Sequence, residues 1–238
     1  EIYTDVDGIY SIDPRVYSDA KKLPFISYDE MMELAYLGAG VMEPRAVELG
    51  GKYGVEIYVG KSLGEKNGTI ITSIEKIKEN KKMEQKVITG VSINENTIMV
   101  NVEEIPTNAQ NVYEIFKRAE ANGINIDIIS QNDVTSHHGS FAFTCPKTDI
   151  AALEKIGAEI EAEFPRTSFI INPYITKVSV VGIGLISNIG VAAKMFRILS
   201  ENDISFHQVS TSEISISLVV DEVMGKKVAE LFAKEFDL

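Results

Sequence analysis

GINIDIISQN, residues 123–132, and DISFHQVSTS, residues 203–212, are two versions of one phrase, and their relation decides the fold. Laying Gly123 over Asp203 gives an offset of 80 residues that holds without a gap in both directions. Asn108 falls on Asn188, Phe116 on Phe196, Asn122 on Asn202 and Ser130 on Ser210. Further back, the alternating run TIMVNVEE (97–104) overlies KVSVVGIG (177–184). Two copies of one folding unit therefore fill the second half of the chain.

Each copy starts with an alternating strand and a small polar turn, then an amphipathic helix: NVYEIFKRAEANG (111–123) and VAAKMFRILSEND (191–203). Asn122-Gly123 and Asn202-Asp203 stop those helices, being residues that tolerate left-handed geometry. A second strand follows (INIDIIS, ISFHQVS), then a third (SFAFTC, ISISLVV) and a closing helix (149–164, 221–236). The order is β-α-β-β-α with one strand still needed. It predicts an α+β fold of two ferredoxin-like βαββαβ units, antiparallel sheets with helices on one face. TSFIIN (167–172) can complete the first unit, but nothing clear follows the second. Either a tail is lost or strands are exchanged between the units. Free sheet edges are usually covered or paired, so pairing between units or with a second subunit is expected.

The predicted organisation is a mixed first segment at 1–74, a linker at 75–87 and repeat units at 88–165 and 166–238. In the first segment, SYDEMMELAYLGAG (27–40) begins with a cap-like Ser27 and places acids in its first turn. Met31, Leu34, Ala35 and Leu37 then share one helical face. VEIYVG (55–60) alternates like a strand, whereas SIEKIKENKKMEQK (73–86) is charged and poor in bulk, as a linker or exposed helix would be.

Composition narrows the functions. The 238 residues are 45% hydrophobic and 24% charged, ordinary globular values. No apolar run approaches the roughly 20 residues of a membrane helix, and EIYTDVDG at the start has no signal-peptide pattern. Lacking a methionine there, the sequence is expected to be a piece of a longer chain. A net charge of −12 and no basic stripe disfavour nucleic acid as a partner. The single Cys145 cannot form an internal disulfide, which fits the cytoplasm, and its place at the end of SFAFTC suits a buried hydrophobe.

Several stretches resemble one family. INIDIISQN, FTCP and VGIGLISNIGVAAKMF…STSEISISLVV resemble the tandem ACT region of aspartokinases, ACT domains being amino-acid-sensing modules. TDVDGIYSIDPR (4–15), ISYDEMMELAYLGAGVMEPRAVE (26–48) and GTII (68–71) are similar to the carboxy-terminal part of the aspartokinase catalytic domain. Taken alone, the Asp-rich turns of residues 4–15 would equally suit a solvated surface. The resemblance implies phosphoryl transfer from ATP with Mg2+ to the side-chain carboxylate of L-aspartate. It further implies that Thr4, Asp5, Tyr10 and Arg15 contact ATP, Tyr10 near base or ribose and Arg15 near phosphate.

Two positions depart from the family pattern: Gly40 stands where a lysine is usual and Glu43 where a histidine is usual. The family's phosphate motif and aspartate-binding residues lie outside this stretch, so the stretch alone is expected to be inactive.

The resemblance also implies that a feedback amino acid, lysine before threonine, binds where the helix turn of one ACT unit meets the second strand of the other. The implicated residues are Asn125, Ile126, Asp127, Ser130 and Gln131 in the first unit. In the second they are Val191 and Ala192 at the helix start, Ser205 and Phe206 at the strand start, then Ser212 and Glu213. Helix-start N–H groups suit a carboxylate, and Asp127 and Glu213 suit an ammonium group. In EEIPTNAQNV (103–112) Thr107 and Gln110 replace the usual acid and glycine, whereas SNIGVA (187–192) keeps Gly190, so two equivalent sites are not expected. A homodimer or larger homo-oligomer through the ACT edges is expected.

Other assignments compete. A free-standing ACT sensor would have no need of the 4–15 turn. A dinucleotide-dependent oxidoreductase is suggested by VVGIGLISNIG, but Ser187 stands where its fingerprint needs glycine. His137 and His138 fall in a polar loop without metal-ligand spacing, and His207 beside Phe206 reads as packed.

Overall fold

The computed structural model describes residues 1–63, 67–79, 86–106, 108–131 and 138–238. They divide into two units, one of residues 1–94, 177–220 and 224–238, the other of 95–176 and 221–223. Thr107 and His137 lie outside the described residues.

In the first unit, β1 (Ile2–Thr4), β2 (Ile9–Tyr10), β3 (Lys22–Leu23) and β4 (Phe25–Ser27) lead into α1 (Tyr28–Tyr36). Ser27 Oγ accepts from Glu30 N at 3.2 Å while the Glu30 carboxylate reaches back to Ser27 N, forming a capping box. Such a cap contributes about 0.5–2 kcal/mol. Met31, Leu34 and Leu37 are buried, as their spacing predicts.

α2 (Pro44–Tyr53) was not foreseen, although its punctuation is present: Pro44 presets the first turn and Gly54, at φ 64°, closes the last. Then come β5 (Ile57–Lys61), β6 (Thr69–Thr72) and α3 (Ile74–Glu79), a short helix in the stretch expected to be a linker or exposed helix. The sheet order is β1-β5-β6-β4, with parallel pairs β1/β5 and β4/β6. Ile26, Met31, Leu34, Val47, Val59 and Ile71 form its core.

β7 (Gly90–Asn94) closes the first stretch of that unit. The other unit holds β8 (Ile98–Pro106), α4 (Ala109–Ala121), β9 (Ile129–Gln131), β10 (His138–Cys145), α5 (Ile150–Glu163) and β11 (Ser168–Asn172). Its strands lie β11-β8-β10-β9 and pair antiparallel, with Phe116, Phe141, Phe143 and Phe169 in ring contact at 5.6–6.4 Å. This is the ferredoxin-like order, fourth-first-third-second.

The sheet of the second repeat uses β12 (Ile175–Val181), α6 (Val191–Glu201), β13 (Gln208–Thr211), β14 (Ser215–Asp221) and α7 (Gly225–Glu235). Its order is β13-β14-β12-β7, the same arrangement, with β7 as the fourth strand. Gly90 pairs with Val181 and Asn94 with Lys177, antiparallel. The strand missing after residue 236 is thus supplied from ahead of the first repeat. β11 completes the first sheet as TSFIIN was expected to, whereas β7, inside the stretch expected to form the first unit, serves the later sheet.

Two predicted strands also start later than their alternation suggests. Residues 124–128 and 204–207 lie outside the regular strands, although Asp127 and Ile128 already bond to Thr144 and His207 to Val219. Ile124, Ile128 and Ile204 are buried all the same, so the alternation reports burial ahead of regular pairing.

Candidate functional site

Three short strands hold the turn expected to meet a nucleotide. Thr4 ends β1 opposite Lys61, and Tyr10 ends β2 opposite Lys22. Gly8 between them has φ 154°, and a Cβ there would stand 2.8 Å from Thr69 Oγ1, so the close turn requires glycine. Thr69 Oγ1 accepts from Ile9 N at 2.7 Å and donates to the Leu23 carbonyl at 2.6 Å, fastening β2 and β3 to the sheet.

The charges are paired along the turn. Thr4 Oγ1 donates to Asp5 at 2.8 Å, which chiefly holds the exposed Asp5 carboxyl below its ordinary range. Asp7 accepts from Lys22 Nζ at 3.1 Å and from Tyr10 OH at 3.0 Å. The lysine lowers the Asp7 pKa, and burial together with Asp7 raises that of Tyr10. Arg15 grips Asp13 through Nε and Nη2, the latter at 2.7 Å, while its side chain stays 90% exposed. A guanidinium anchored on one side and open on the other can meet phosphate oxygens without a large ordering cost. Lys22, the partner that neutralises Asp7, was missed because nothing in the sequence links it to residue 7.

Gly40 is exposed, and a Cβ built on it meets nothing within 4 Å. The loss of the usual lysine is therefore not forced by crowding. Glu43 is the exposed N-cap residue of α2, and its side chain makes no capping hydrogen bond. A cleft of about 280 Å³ opens between α1, α2 and the start of α3, lined by residues including Tyr28, Met32, Val47, Lys52 and Ser73. None of Thr4, Asp5, Tyr10 and Arg15 lines it.

The residues implicated in amino acid binding fall in both units. Asn125, Ile126 and Asp127 precede β9, and Ser130 and Gln131 lie on it, paired with Ala142 and Phe141 of β10. Asp127 N donates to the Thr144 carbonyl at 2.9 Å. Ile126 packs against the core of this unit, leaving Asn125 and Asp127 exposed.

In the other unit, Val191 and Ala192 open α6, with the Val191 side chain in the core, so their backbone N–H groups are the polar feature. Ser205 and Phe206 come before β13 rather than at its start, and the Phe206 ring lies tilted against Phe196 at 5.3 Å. His207 is exposed, not packed. Ser212 caps the β13–β14 turn, accepting from Ser215 N at 3.0 Å, with Glu213 exposed at its tip.

The two helix starts differ. In α4 the Asn108 side chain accepts from Asn111 N at 2.8 Å. In α6 the cap residue is Gly190, at φ 102°, and no side chain bonds the helix start. Asn188, which overlies Asn108 in the repeat, instead donates to the Gly184 carbonyl. Cys145 is buried, and burial pushes its thiol up to about 12, far from a nucleophile's range. Among the described residues no three His, Cys, Asp or Glu side chains are grouped to hold a metal, and no helix is long and apolar enough to cross a membrane.

Comparison with known proteins agrees with this architecture. Residues 1–61 match the amino acid kinase family and residues 178–236 the ACT domain. An aspartokinase of Bacillus sp. (strain MGA3) is 39% identical over 100% of this chain and 57% of its own length. The chain thus spans about half the length of the curated relatives it matches. The crystal structure of an aspartate kinase from Clostridium acetobutylicum, described as an allosteric enzyme, superposes with a TM-score of 0.84 at 25% identity, covering 98% of this chain and 53% of that one. A structure of aspartokinase alpha and beta subunits is 32% identical with a TM-score of 0.59, covering 63% of this chain and 99% of that one. With a kinase-type segment ahead of two sheets of ACT order and relatives of one kind along its whole length, the chain belongs to the aspartokinase family.

Proposed function

We propose that the protein carrying this chain transfers the terminal phosphoryl group of ATP to the side-chain carboxylate of L-aspartate, forming 4-phospho-L-aspartate. Amino acid binding on the ACT half regulates that activity. The observation that carries this is β7: the kinase-type segment and the second ACT sheet are one unit, so neither is an independent module. A free-standing sensor would lack that dependence.

In this proposal Arg15, steadied by Asp13, meets the phosphates, Tyr10 lies by base or ribose, and Thr4 and Asp5 complete the contact. The open guanidinium fits an anion, and the pairing of Asp7 with Lys22 limits repulsion. Magnesium would accompany the nucleotide phosphates, as is usual for that ion. Phosphoryl transfer depends on such positioning and charge neutralisation.

Lysine is the proposed effector, with threonine second. The start of α6 suits a carboxylate better than that of α4, because no side chain competes for its N–H groups. Val191 and Ala192 would supply those groups. Glu213 would take the ammonium group, with Ser212, Ser205 and Phe206 beside it. Asn125, Ile126, Asp127, Ser130 and Gln131 are the proposed contributors from the other unit. A homodimer through the edge strands β9 and β13, in the cytoplasm, completes the proposal.

Calorimetric titration with lysine, threonine and methionine tests it. Lysine is expected to release heat, and Glu213→Ala to weaken that binding about tenfold or more, the effect of one lost charged hydrogen bond. Silence from all three amino acids would remove the regulatory assignment.

A further inference from the structure

Glu30 and Glu33, one helical turn apart on α1, both reach out of the kinase-type segment to the second ACT sheet. Glu30 is 4% exposed. Its Oε2 accepts from Ser27 Oγ at 2.6 Å, and its Oε1 accepts from Thr89 Oγ1 at 2.6 Å and Ile183 N at 3.0 Å. A buried carboxylate is costly unless its oxygens are satisfied, and three partners outside its own helix backbone satisfy this one. Ile183 begins the short turn that follows β12 and leads to Gly190 and α6. Glu33 Oε1 accepts from Ser215 Oγ at 2.5 Å and Ser212 Oγ at 3.4 Å, both at the β13–β14 turn.

The two loops are joined to each other as well, since Gly182 N donates to the Ile214 carbonyl at 2.9 Å. The bonds form a closed ring: Glu30 to Ile183, the chain back to Gly182, across to Ile214, on to Ser215, and back to Glu33. Neither loop can shift without stretching a charge-assisted bond to α1. Thr89 brings the segment before β7 into the same ring.

We propose that Glu30 and Glu33 form a two-point carboxylate clamp coupling α1 to the 182–190 loop and the 212–215 turn. α1 is then the element of the kinase-type segment that responds to events on those loops. They carry, or lead directly to, Val191, Ala192, Ser212 and Glu213, so the regulatory meaning of the clamp rests on the effector assignment above. The mechanical coupling does not. Both glutamates are positioning residues. α1 ends at Tyr36, just ahead of the turn holding Gly40. Coupling of this kind is reciprocal, which makes it measurable from either end.

Amide exchange on the full 238-residue chain measures it from the α1 end. Ala35→Gly loosens α1 at a site away from both loops. With the clamp intact, exchange at Gly182, Ile183 and Ser215 is expected to rise by up to about fivefold, the helix penalty of one glycine passed across the ring. With Glu30→Gln and Glu33→Gln together, Ala35→Gly should leave those amides unchanged. A merely structural role for the carboxylates would raise exchange throughout but would not cancel the response to Ala35→Gly. Should the double variant not fold, Glu33→Ala alone removes the Glu33 arm, with both its serine partners, and the response should then weaken at Ser215 and persist at Ile183.

The clamp is overturned if Ala35→Gly leaves the loops unchanged in the otherwise unaltered chain. It is equally overturned if the response survives the loss of both carboxylates. Lysine and threonine provide the second arm. If either binds, it should slow exchange across Met31–Tyr36 in the unaltered chain and not in the double variant; an equal slowing in both would also overturn the clamp. If neither binds while the Ala35→Gly response is intact, the clamp stands and the effector assignment alone fails.

Discussion

The two ACT sheets share one strand order but not one way of reaching it. The first takes β8, β9, β10 and β11 from continuous chain, whereas the second draws its fourth strand, β7, from ahead of the first. The difference shows what an exposed sheet edge demands. In the second sheet the open side of β12 is covered by a strand that Val91 N also bonds to the Ser11 carbonyl at 2.7 Å. Ser92 Oγ donates to the Leu37 carbonyl at 3.0 Å, at the end of α1. One strand therefore covers an edge and fastens an ACT sheet to a kinase-type segment. Among the described residues, the first ACT sheet takes all its strands from one stretch of chain.

The sharpest way to break this contrast is to weaken one core and watch the other. Phe143→Ala removes the ring at the centre of the four-phenylalanine cluster, at a cost of about 3–5 kcal/mol. In scanning calorimetry the first ACT unit should melt earlier as a separate transition, with the other unit unmoved. A single transition shifted as a whole would mean that the two units fold as one.

Gly90→Ala acts on the borrowed strand. Its Cβ would stand 2.8 Å from the Ser11 carbonyl oxygen and 3.3 Å from Leu34, so the strand or its neighbour must give way. A loss of about 1–3 kcal/mol is expected, confined to the transition of the unit that contains β7. An equal loss in both transitions would break the contrast from the other side.

The smallest effects sharpen the likeness between the repeats. Gly123 and Asp203 both sit in left-handed geometry after their helices, at φ 70° and 54°. Nothing lies within 4 Å of a Cβ on Gly123, so Gly123→Ala should cost only the backbone term, about 1 kcal/mol. Asp203→Gly should gain about half that or more. Denaturant midpoints moving in opposite directions would show one helix stop written with two residues.

What the sequence made legible was local. Helix stops, the Ser27 cap and the apolar alternation all act within a few residues, and they located the repeats. β7 was illegible because VSIN reads equally well as the start of the nearer unit, and its partner Val181 is far along the chain. α2 escaped notice despite Pro44 and Gly54, since its mid-helix glycines blur the apolar stripe.

The site shows the same divide. Thr4, Asp5 and Tyr10 flank the turn through Gly8 and Arg15 lies beyond β2, while the pairing of Lys22 with Asp7 arises only when β2 meets β3. Glu30 and Glu33 looked like ordinary acids on a helix until Ile183 and Ser215 were brought to them.

The borrowed strand also sets a timetable for synthesis. β7 leaves the ribosome roughly 90 residues before β12, so at about 5–20 residues per second it waits on the order of ten seconds for its partner. Throughout that interval the nascent kinase-type segment must shield or tolerate a bare strand, and the first ACT unit can finish folding before its older neighbour does.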